Sequence, residues 1–346
     1  MADKKTHIIG NCSRATSLEQ LCRTESNKLE VVKQGYEPET IDIIKNAYET
    51  KIVFLLDGIA DYQTNLSAIR SKRKDIFLVG FDTTQNTPAP EQYVCGLRLL
   101  KQSSANLVFS HDQETGLNMI VAPEETTYHV TTNEQEALGN IVEMAYLRSH
   151  LTFTRSTIVA GEPVNWNSTL VPQSLRAVVD YCRAQGVYKV FNGATTGHFA
   201  VKLDEKTFLT SRRKTDFNQL DKIGLVKVTT DGPDAVIAYG SKPSVGGQSQ
   251  RIVFQQHPEY DSIVHFHCPK KEESAVPTVS QREYECGSHE CGKNTSSGLQ
   301  KFGNLSAIYL DNHGPNIVFH SGIDPQEVTK FIEENFDLAK KTGGYV

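Results

Sequence analysis

Short apolar runs alternate with amphipathic segments through the first 150 residues of the chain. Between Lys51 and Asp57, the five residues Ile-Val-Phe-Leu-Leu are all apolar. Such a run is typical of a strand buried on both faces of a parallel sheet. Asn133-Glu-Gln-Glu136 resembles a capping box and opens a segment with apolar residues at helical spacing. Further strands are predicted at residues 6–10, 76–81, 106–110 and 118–122, and further helices at 17–22, 66–73 and 91–102. The alternation predicts a layered, Rossmann-like α/β domain.

The second half has the pattern of another α/β domain. Amphipathic helices are predicted at residues 174–185 and up to about His257, and Asp324-Pro325 caps a closing helix that runs to about Lys341. Between the halves, residues 149–174 lose helical periodicity and contain many turn formers, which indicates a domain boundary. We therefore predict two domains, at residues 1–155 and 165–346.

Three histidines of the second half are placed to meet in one pocket. Residues 262–267 form a predicted buried strand, on which His265 and His267 face the same side because side chains repeat every two residues. His313 follows an apolar strand and precedes Gly314-Pro315, where a strand gives way to a turn. Three neutral imidazoles with an open position are the ligand set of a catalytic zinc site. The alternative is two inward histidines that are hydrogen-bonded in a polar core, with an unrelated histidine in a turn.

With the His-x-His strand and the later Asn-His-Gly, this half resembles the class II aldolase/adducin family, which includes sugar-phosphate aldolases, epimerases and dehydratases. The resemblance implies an αβα domain around a central, mostly antiparallel sheet. It implies that His265, His267 and His313 bind Zn²⁺ or another divalent metal. It also implies a homo-oligomer, with a tetramer favoured, because family enzymes are commonly ring-shaped tetramers.

The same resemblance assigns three segments to the anionic end of a small phosphorylated substrate. Gly193–Lys202 has a small-residue turn before a strand, where Thr195 and Gly197 match the family and His198 replaces its asparagine. The next strand leads into Ser211-Arg-Arg-Lys214, whose guanidinium groups favour phosphate; a solvated basic turn is the alternative. The third segment, Lys242-Pro-Ser-Val-Gly-Gly-Gln-Ser-Gln250, opens the helix that runs to about His257, and the family's serine at this helix start contacts phosphate. The predicted substrate-binding residues are Thr195, Gly197, His198, Thr210, Ser211, Arg212, Arg213, Ser244, Gly246 and Gln248.

One departure from the family bears on catalysis. The family's glutamate, its general acid/base, falls on Gly246, which has no proton to move. Gln248 can form hydrogen bonds there but cannot titrate. The predicted catalytic replacements are Glu285 and Glu290, in a segment dense in reactive side chains. In the same segment, Cys286, His289 and Cys291 are an alternative, separate metal site.

The N-terminal half resembles the phosphopantothenate–cysteine ligase fold in three places. These are Gly58-Ile-Ala-Asp-Tyr62, Phe77-Leu-Val-Gly-Phe-Asp-Thr83, and Asn106-Leu-Val-Phe-Ser-His-Asp112 followed by Asn118. However, Ile9-Gly-Asn-Cys-Ser13 has one glycine where the ligase has a glycine-rich turn, and close approach to phosphate needs positions without Cβ. We therefore expect a reduced relative without ligase activity and leave nucleotide binding open.

Composition narrows the class of protein. A net charge of −5 over 346 residues argues against a nucleic-acid-binding surface, which would need clustered basic residues. No apolar run reaches membrane-spanning length, and the N-terminus lacks a signal-peptide core. Seven scattered cysteines are typical of reduced thiols. These observations favour a cytoplasmic protein that acts on a small molecule, without a membrane partner.

The leading hypothesis is a zinc-dependent lyase, aldolase-like or dehydratase/epimerase-like, acting on a small phosphorylated or carboxylated hydroxy-carbonyl substrate. Two alternatives stay open. The first is a non-catalytic binding or assembly protein of the adducin type, which Gly246 favours. The second is a nucleotide-dependent protein related to the ligase.

Overall fold

The computed structural model describes residues 4–25, 29–37, 39–56, 62–84, 104–123, 125, 127–191 and 193–342; the side chains at 62, 84, 191 and 245–248 are outside this description. The described residues fall into two compact units, which divide between His150 and Leu151. No helix within these ranges is both long enough and apolar enough to cross a membrane.

A sheet with the strand order β2-β1-β3-β4-β5-β6-β7 forms the centre of the first unit. Strands β2 to β5 in this order pair in parallel, and β6 and β7 add antiparallel pairs at one edge. The strands are β1 (Lys5–Ile9), β2 (Glu30–Gln34), β3 (Thr50–Leu55), β4 (Phe77–Thr84), β5 (Leu107–Asp112), β6 (Asn118–Ala122) and β7 (Thr127–Thr131). The helices are α1 (Arg14–Glu25), α2 (Thr40–Asn46), α3 (Tyr62–Lys72) and α4 (Glu134–Arg148).

Strand β3 lies at the centre of two apolar layers. Ile52 and Phe54 pack with residues of α1 and α4 on one face of the sheet. Val53 and Leu55 pack with residues of α2 and α3 on the other face. A strand that is covered on both faces buries consecutive side chains, which explains its uninterrupted apolar run. The predicted α/β class is therefore confirmed.

The sequence predicts the buried elements of this unit better than the polar ones. The predicted helix start at Asn133 is correct, since its Oδ1 accepts a hydrogen bond from the backbone N–H of Glu136 at 3.1 Å. Strands β2 and β7 and helix α2 were not predicted; Val31 is the one fully buried residue of β2, and β7 has none. The predicted helix at 91–102 and most of the motif at 58–62 lie outside the described residues.

The second unit is built on a sheet with the order β16-β18-β19-β15-β11-β12-β13-β14-β8, with β17 paired to β18. Its pairs are antiparallel except for β14 with β8 and β16 with β18. The strands are β8 (Arg155–Val159), β9 (Val190–Phe191), β10 (Ala194–Thr195), β11 (His198–Lys202), β12 (Thr207–Thr210), β13 (Val226–Thr230), β14 (Ala235–Tyr239), β15 (Ser262–His265), β16 (Thr278–Val279), β17 (Gln300–Phe302), β18 (Leu305–Leu310) and β19 (Gly314–Phe319). The helices are α5 (Gln173–Ala184), α6 (Leu220–Ile223), α7 (Val245–Gln256), α8 (His289–Gly298) and α9 (Pro325–Asn335).

Helices cover both faces of this sheet. Side chains of α5 and α9 pack with Phe199 and Val201 of β11 on one face. Ala200, between them in sequence, faces the other side and packs with Val253 and Phe254 of α7. Trp166 is 1% exposed in the first of these cores, where its ring lies edge-on to Phe199. This tryptophan is therefore a core residue of the second unit.

Two boundaries differ from the sequence prediction. Strand β8 lies inside the segment interpreted as the boundary and pairs with β14 of the second unit. Helix α9 ends at Asn335, because Phe336 takes an extended conformation and buries its ring against Phe266. The chain from Asp337 to Thr342 therefore leaves the helix and reaches the histidines described next.

Candidate metal centre

The structure brings His265, His267 and His313 together. One ring nitrogen of each lies within 4.8 Å of one ring nitrogen of the other two. The ring centroids of His267 and His313 are 4.4 Å apart, and those of His265 and His313 are 4.8 Å apart. All three side chains are buried. The arrangement is a compact group of three imidazoles.

Sheet register explains this convergence. Strands β15 and β19 are antiparallel, with His265 opposite Asn316, so the β18–β19 turn that carries His313 lies beside the chain that follows β15. A Cβ at Gly314 would lie 2.0 Å from the carbonyl oxygen of Phe266. Only a residue without a side chain permits this approach.

Hydrogen bonding fixes the tautomer of one imidazole. His265 Nδ1 donates to the carbonyl oxygen of Pro315 at 2.7 Å, so its Nε2 carries the lone pair. This Nε2 is buried and has no hydrogen-bond partner among the described residues. A backbone carbonyl that orients a histidine in this way is the usual outer partner of a metal ligand. The residues present therefore fit a divalent metal such as zinc.

His265 and His267 are held in the neutral form that binds metal. Burial lowers the pKa of His265 to about 3, with His313 adding to the shift and the hydrogen bond to Pro315 opposing it. Burial also places the pKa of His267 well below its ordinary value, and His313, His265 and Lys341 lower it further. Neutral imidazoles at physiological pH accept a metal ion without first losing a proton.

His198, predicted to contact substrate phosphate, lies against the histidine group instead. It pairs with His265 across β11 and β15, and the two ring centroids are 4.6 Å apart. Its Nδ1 is hydrogen-bonded to the side-chain amide of Gln250, whose Oε1 accepts from Thr210 Oγ1 at 3.1 Å. Burial and the adjacent His265 hold the pKa of His198 well below its ordinary value. A neutral imidazole whose Nδ1 is already bonded offers no positive charge to a phosphate, and the substrate contact of His198 stays a prediction.

The three predicted anion-binding segments are neighbours in the structure. The backbone N–H of Thr195 donates to Thr215 at 3.0 Å, which joins the first segment to the basic turn. The N–H of Ser244 donates to Ser211 at 2.9 Å, which joins that turn to the start of α7. A Cβ at Gly197, whose φ is +98°, would lie 2.6 Å from the carbonyl oxygen of His265. The segments therefore lie close to the histidine group.

The side chains in these segments differ in which of their hydrogen-bonding atoms are already paired within the described residues. Thr195 Oγ1 accepts from the N–H of Phe217 at 3.1 Å. Arg212 donates to the carbonyl of Ile223 at 2.8 Å, although its Nε is buried without a partner in the described part of the chain. Ser211 Oγ is likewise buried and unpartnered, and Ser244 makes no side-chain cap to α7. Gly246 lies in the first turn of α7, and the side chain of Gln248 is outside the described residues.

Sequence reasoning missed Lys341. It is 4% exposed, and its Nζ donates to Thr196 Oγ1 at 3.3 Å. The next residue, Thr342, donates its backbone N–H to the His267 carbonyl at 3.2 Å and its hydroxyl to the His313 carbonyl. A buried ammonium is thus fixed beside the histidine group. Lys340 and Lys341 are adjacent near the predicted end of the closing helix. Nothing in the sequence indicates that Lys341 is buried while Lys340 is exposed.

The predicted catalytic glutamates lie in and before α8. Glu290 accepts hydrogen bonds from the backbone N–H and the hydroxyl of Thr152, both at 2.9 Å. Burial raises the pKa of Glu290, but these hydrogen bonds outweigh that effect and the pKa lies below its ordinary value. Glu285 is half-buried in the turn before α8. The ligand group, as far as the described residues show, includes neither carboxylate.

The alternative metal site at Cys286, His289 and Cys291 is wrong. Across the described ranges, the three histidines at 265, 267 and 313 are the one group of ligand atoms that converges. His289 Nε2 is instead 2.8 Å from Thr154 Oγ1, and Cys291 Sγ accepts from Gln281 at 3.5 Å. Cys286 and Cys291 line a small cavity together with His198 and His265.

The family comparison concerns the second half of the chain. Residues 176–334 match the family model described as Class II Aldolase and Adducin N-terminal domain. No curated protein matches the chain. The matched range begins at residue 176, so it lends no support to the ligase-like interpretation of the N-terminal half.

Three solved structures resemble part of the chain at low identity. YgbL from Escherichia coli is 20% identical over 47% of this chain and 82% of its own, with a TM-score of 0.34. L-fuculose 1-phosphate aldolase is 18% identical over 48% of this chain and 83% of its own, with a TM-score of 0.36. YgbL from Klebsiella pneumoniae is 22% identical over 47% and 84%, with a TM-score of 0.32. Similarities of this size carry no argument about activity.

Proposed function

We propose that the protein is a zinc-dependent lyase, aldolase-like or dehydratase/epimerase-like, because residues 176–334 match the family model described as Class II Aldolase and Adducin N-terminal domain. Its substrate is a small hydroxy-carbonyl compound that carries a phosphate or a carboxylate. The observation that carries the proposal is the group of three buried imidazoles, with the Nε2 of His265 left without a hydrogen-bond partner among the described residues.

His265, His267 and His313 would hold the metal ion. When bound, a divalent cation supplies Lewis-acid polarisation of a substrate carbonyl. The Ser211 hydroxyl and the Arg212 Nε, which lack a hydrogen-bond partner among the described residues, are donors suited to an anionic group. Lys341 adds a buried positive charge next to Thr196, to whose hydroxyl it donates a hydrogen bond. Substrate binding is therefore assigned to the chain's own donors, and carbonyl activation to the metal.

The test is turnover on a defined panel. Zinc-loaded protein is incubated with short hydroxy-carbonyl phosphates and the matching carboxylates, and products are followed by ³¹P and ¹³C NMR. We expect cleavage, epimerisation or dehydration of at least one compound, loss of the activity on chelation, and its return with zinc. Turnover that is unaffected by complete metal removal would contradict the proposal.

Gly246 favours a second candidate, a binding or assembly protein without turnover. The position of the family's acid/base is a glycine in the first turn of α7, and the described residues add no carboxylate to the histidine group. Zinc-loaded protein that binds panel compounds and converts none of them would support this candidate over the lyase.

Replacing Lys341 by methionine is expected to weaken anion binding by about tenfold or more, because a buried ammonium makes charge-assisted hydrogen bonds. The measurement is the Kd of inorganic phosphate for zinc-loaded protein, obtained by calorimetry. Lys340→Met is the matched control, since the Lys340 side chain is 72% exposed and pairs with Asp337 on the surface. Equal affinities in the two variants would remove Lys341 from the site.

A further inference from the structure

A second cavity, with a volume of about 360 Å³, lies away from the histidines. We call it the β11–α7 cavity; its walls include Lys202, Thr207, Phe208, Thr230, Arg251 and Phe254. Strand β11 begins at His198 and ends at Lys202, so at about 3.3 Å per residue the cavity begins roughly 13 Å from the histidine group. Its volume is in the range of small-molecule pockets.

The inner wall of this cavity is aromatic. Phe208 at the start of β12 and Phe254 on α7 are 4% and 5% exposed, and their ring centroids are 6.5 Å apart. Lys202 Nζ lies 5.9 Å from the Phe254 ring centroid and donates to the carbonyl of Pro258 at 2.9 Å. The wall therefore offers an apolar, aromatic surface with a cation at its edge.

Arg251 supplies a buried charge to the same wall. Its residue is 5% exposed, and the guanidinium donates only to neutral oxygens, namely those of Gly232 at 3.0 Å, Pro233 at 2.6 Å and Thr154 at 3.3 Å. Its Nε has no partner among the described residues. Burial lowers the pKa of Arg251, and the charge of the Asp234 carboxylate raises it by less, so the pKa lies below its ordinary value. A buried guanidinium whose hydrogen bonds go to neutral oxygens is costly, which favours an anion as a further partner.

The other charged groups around the cavity do not cancel this charge. Asp204 turns its carboxylate to the backbone N–H groups of Lys206 and Thr207, both at 2.8 Å. Glu205 and Lys206 are exposed at the rim and opposite in sign. Asp234, beyond the wall, has a carboxylate that is 63% exposed and lies 3.6 Å from His289. Lys202 and Arg251 therefore leave the interior positive.

We propose that the β11–α7 cavity is a binding site for a small organic anion, with a carboxylate or phosphate head and an aromatic or other flat apolar body. The head pairs with the positive charges of Arg251 and Lys202. The body packs on Phe208 and Phe254. This site is separate from the histidine group and does not rest on the lyase function.

The test uses phenyl phosphate and benzoate as probes and benzyl alcohol as their neutral counterpart. Binding is measured by calorimetry and saturation-transfer NMR on metal-depleted full-length protein, so that an anion on a bound metal does not contribute. Three variants address the site: Lys202→Met and Arg251→Lys change its donors, and Thr230→Phe fills the cavity without altering Arg251. Lys330→Met on α9 is the control, with a side chain that is 76% exposed.

We expect at least one anionic probe to bind more tightly than benzyl alcohol. Lys202→Met and Arg251→Lys should each weaken it about tenfold, Thr230→Phe should abolish it, and Lys330→Met should leave it unchanged. The proposal is overturned if no anionic probe binds, if benzyl alcohol binds equally well, or if Thr230→Phe retains full affinity. Circular dichroism confirms that each variant is folded before binding is compared.

Discussion

Replacing His265 by alanine is expected to reduce bound zinc from about one ion per chain to nearly none. The variant removes the imidazole that its bond to the Pro315 carbonyl holds in the metal-binding tautomer. Loss of an outer hydrogen-bond partner alone typically weakens a metal site 10–100-fold, so we expect loss of the ligand to weaken it by more than about 100-fold. The two remaining imidazoles are too few for a stable site.

The measurement is zinc content by mass spectrometry after loading and exhaustive dialysis. His320→Ala serves as the control, because its side chain is 66% exposed and lies outside the histidine group. Near-UV circular dichroism shows whether each variant keeps its core. A folded His265→Ala protein that still holds one zinc per chain would exclude this site as the metal centre, as would wild-type protein that binds none.

Replacing Gly314 by alanine is expected to cost on the order of 3 kcal/mol or more of the free energy of unfolding. The new methyl group would lie 2.0 Å from the Phe266 carbonyl oxygen, which is backbone and cannot rotate away. Relief requires β19 to separate from the chain after β15, which also moves His313 away from His267. We therefore expect the variant to lose zinc affinity together with stability.

Gly303→Ala is the matched control for this change. Gly303 also has a positive φ, +60°, but an added Cβ would meet no atom within 4 Å. Its cost should stay near the 1 kcal/mol expected from backbone conformation alone. Denaturant unfolding followed by the fluorescence of Trp166, the single tryptophan, reports the second unit specifically. If the two variants are equally stable, the contact at Phe266 does not position His313.

The fold could be predicted where each element carries its own pattern. Strand β3 was predicted because a strand buried on both faces is apolar at every position. Helix α4 was predicted because burial of one face makes apolar residues recur at helical spacing. Strand β7 was missed because none of its residues is fully buried. The closing helix was predicted too long because its polar and apolar pattern continues past Asn335, while tertiary packing of Phe336 ends it.

The same distinction applies to the site. His265 and His267 are two residues apart on one strand, so local periodicity and the family resemblance place them together. The position of Lys341 depends on the next residue, Thr342, which donates hydrogen bonds to the carbonyls of His313 and His267. These partners lie about 30 and 75 residues earlier in the sequence. Similarly, only the pairing of β11 with β15 reveals that His198 lies on His265. Local sequence pattern does not predict contacts of this kind.

The chain at 265–266 is held from two sides by main-chain contacts, with Gly197 against one carbonyl and Gly314 against the next. The scaffold of the centre is thus set by backbone packing, independently of which donor atoms stand on it. Exchange of imidazole for thiolate or carboxylate at these positions would alter the hardness of the ligand set while the frame stays in place. For the proposed metal centre, we therefore expect single side-chain replacements to change which metal is preferred.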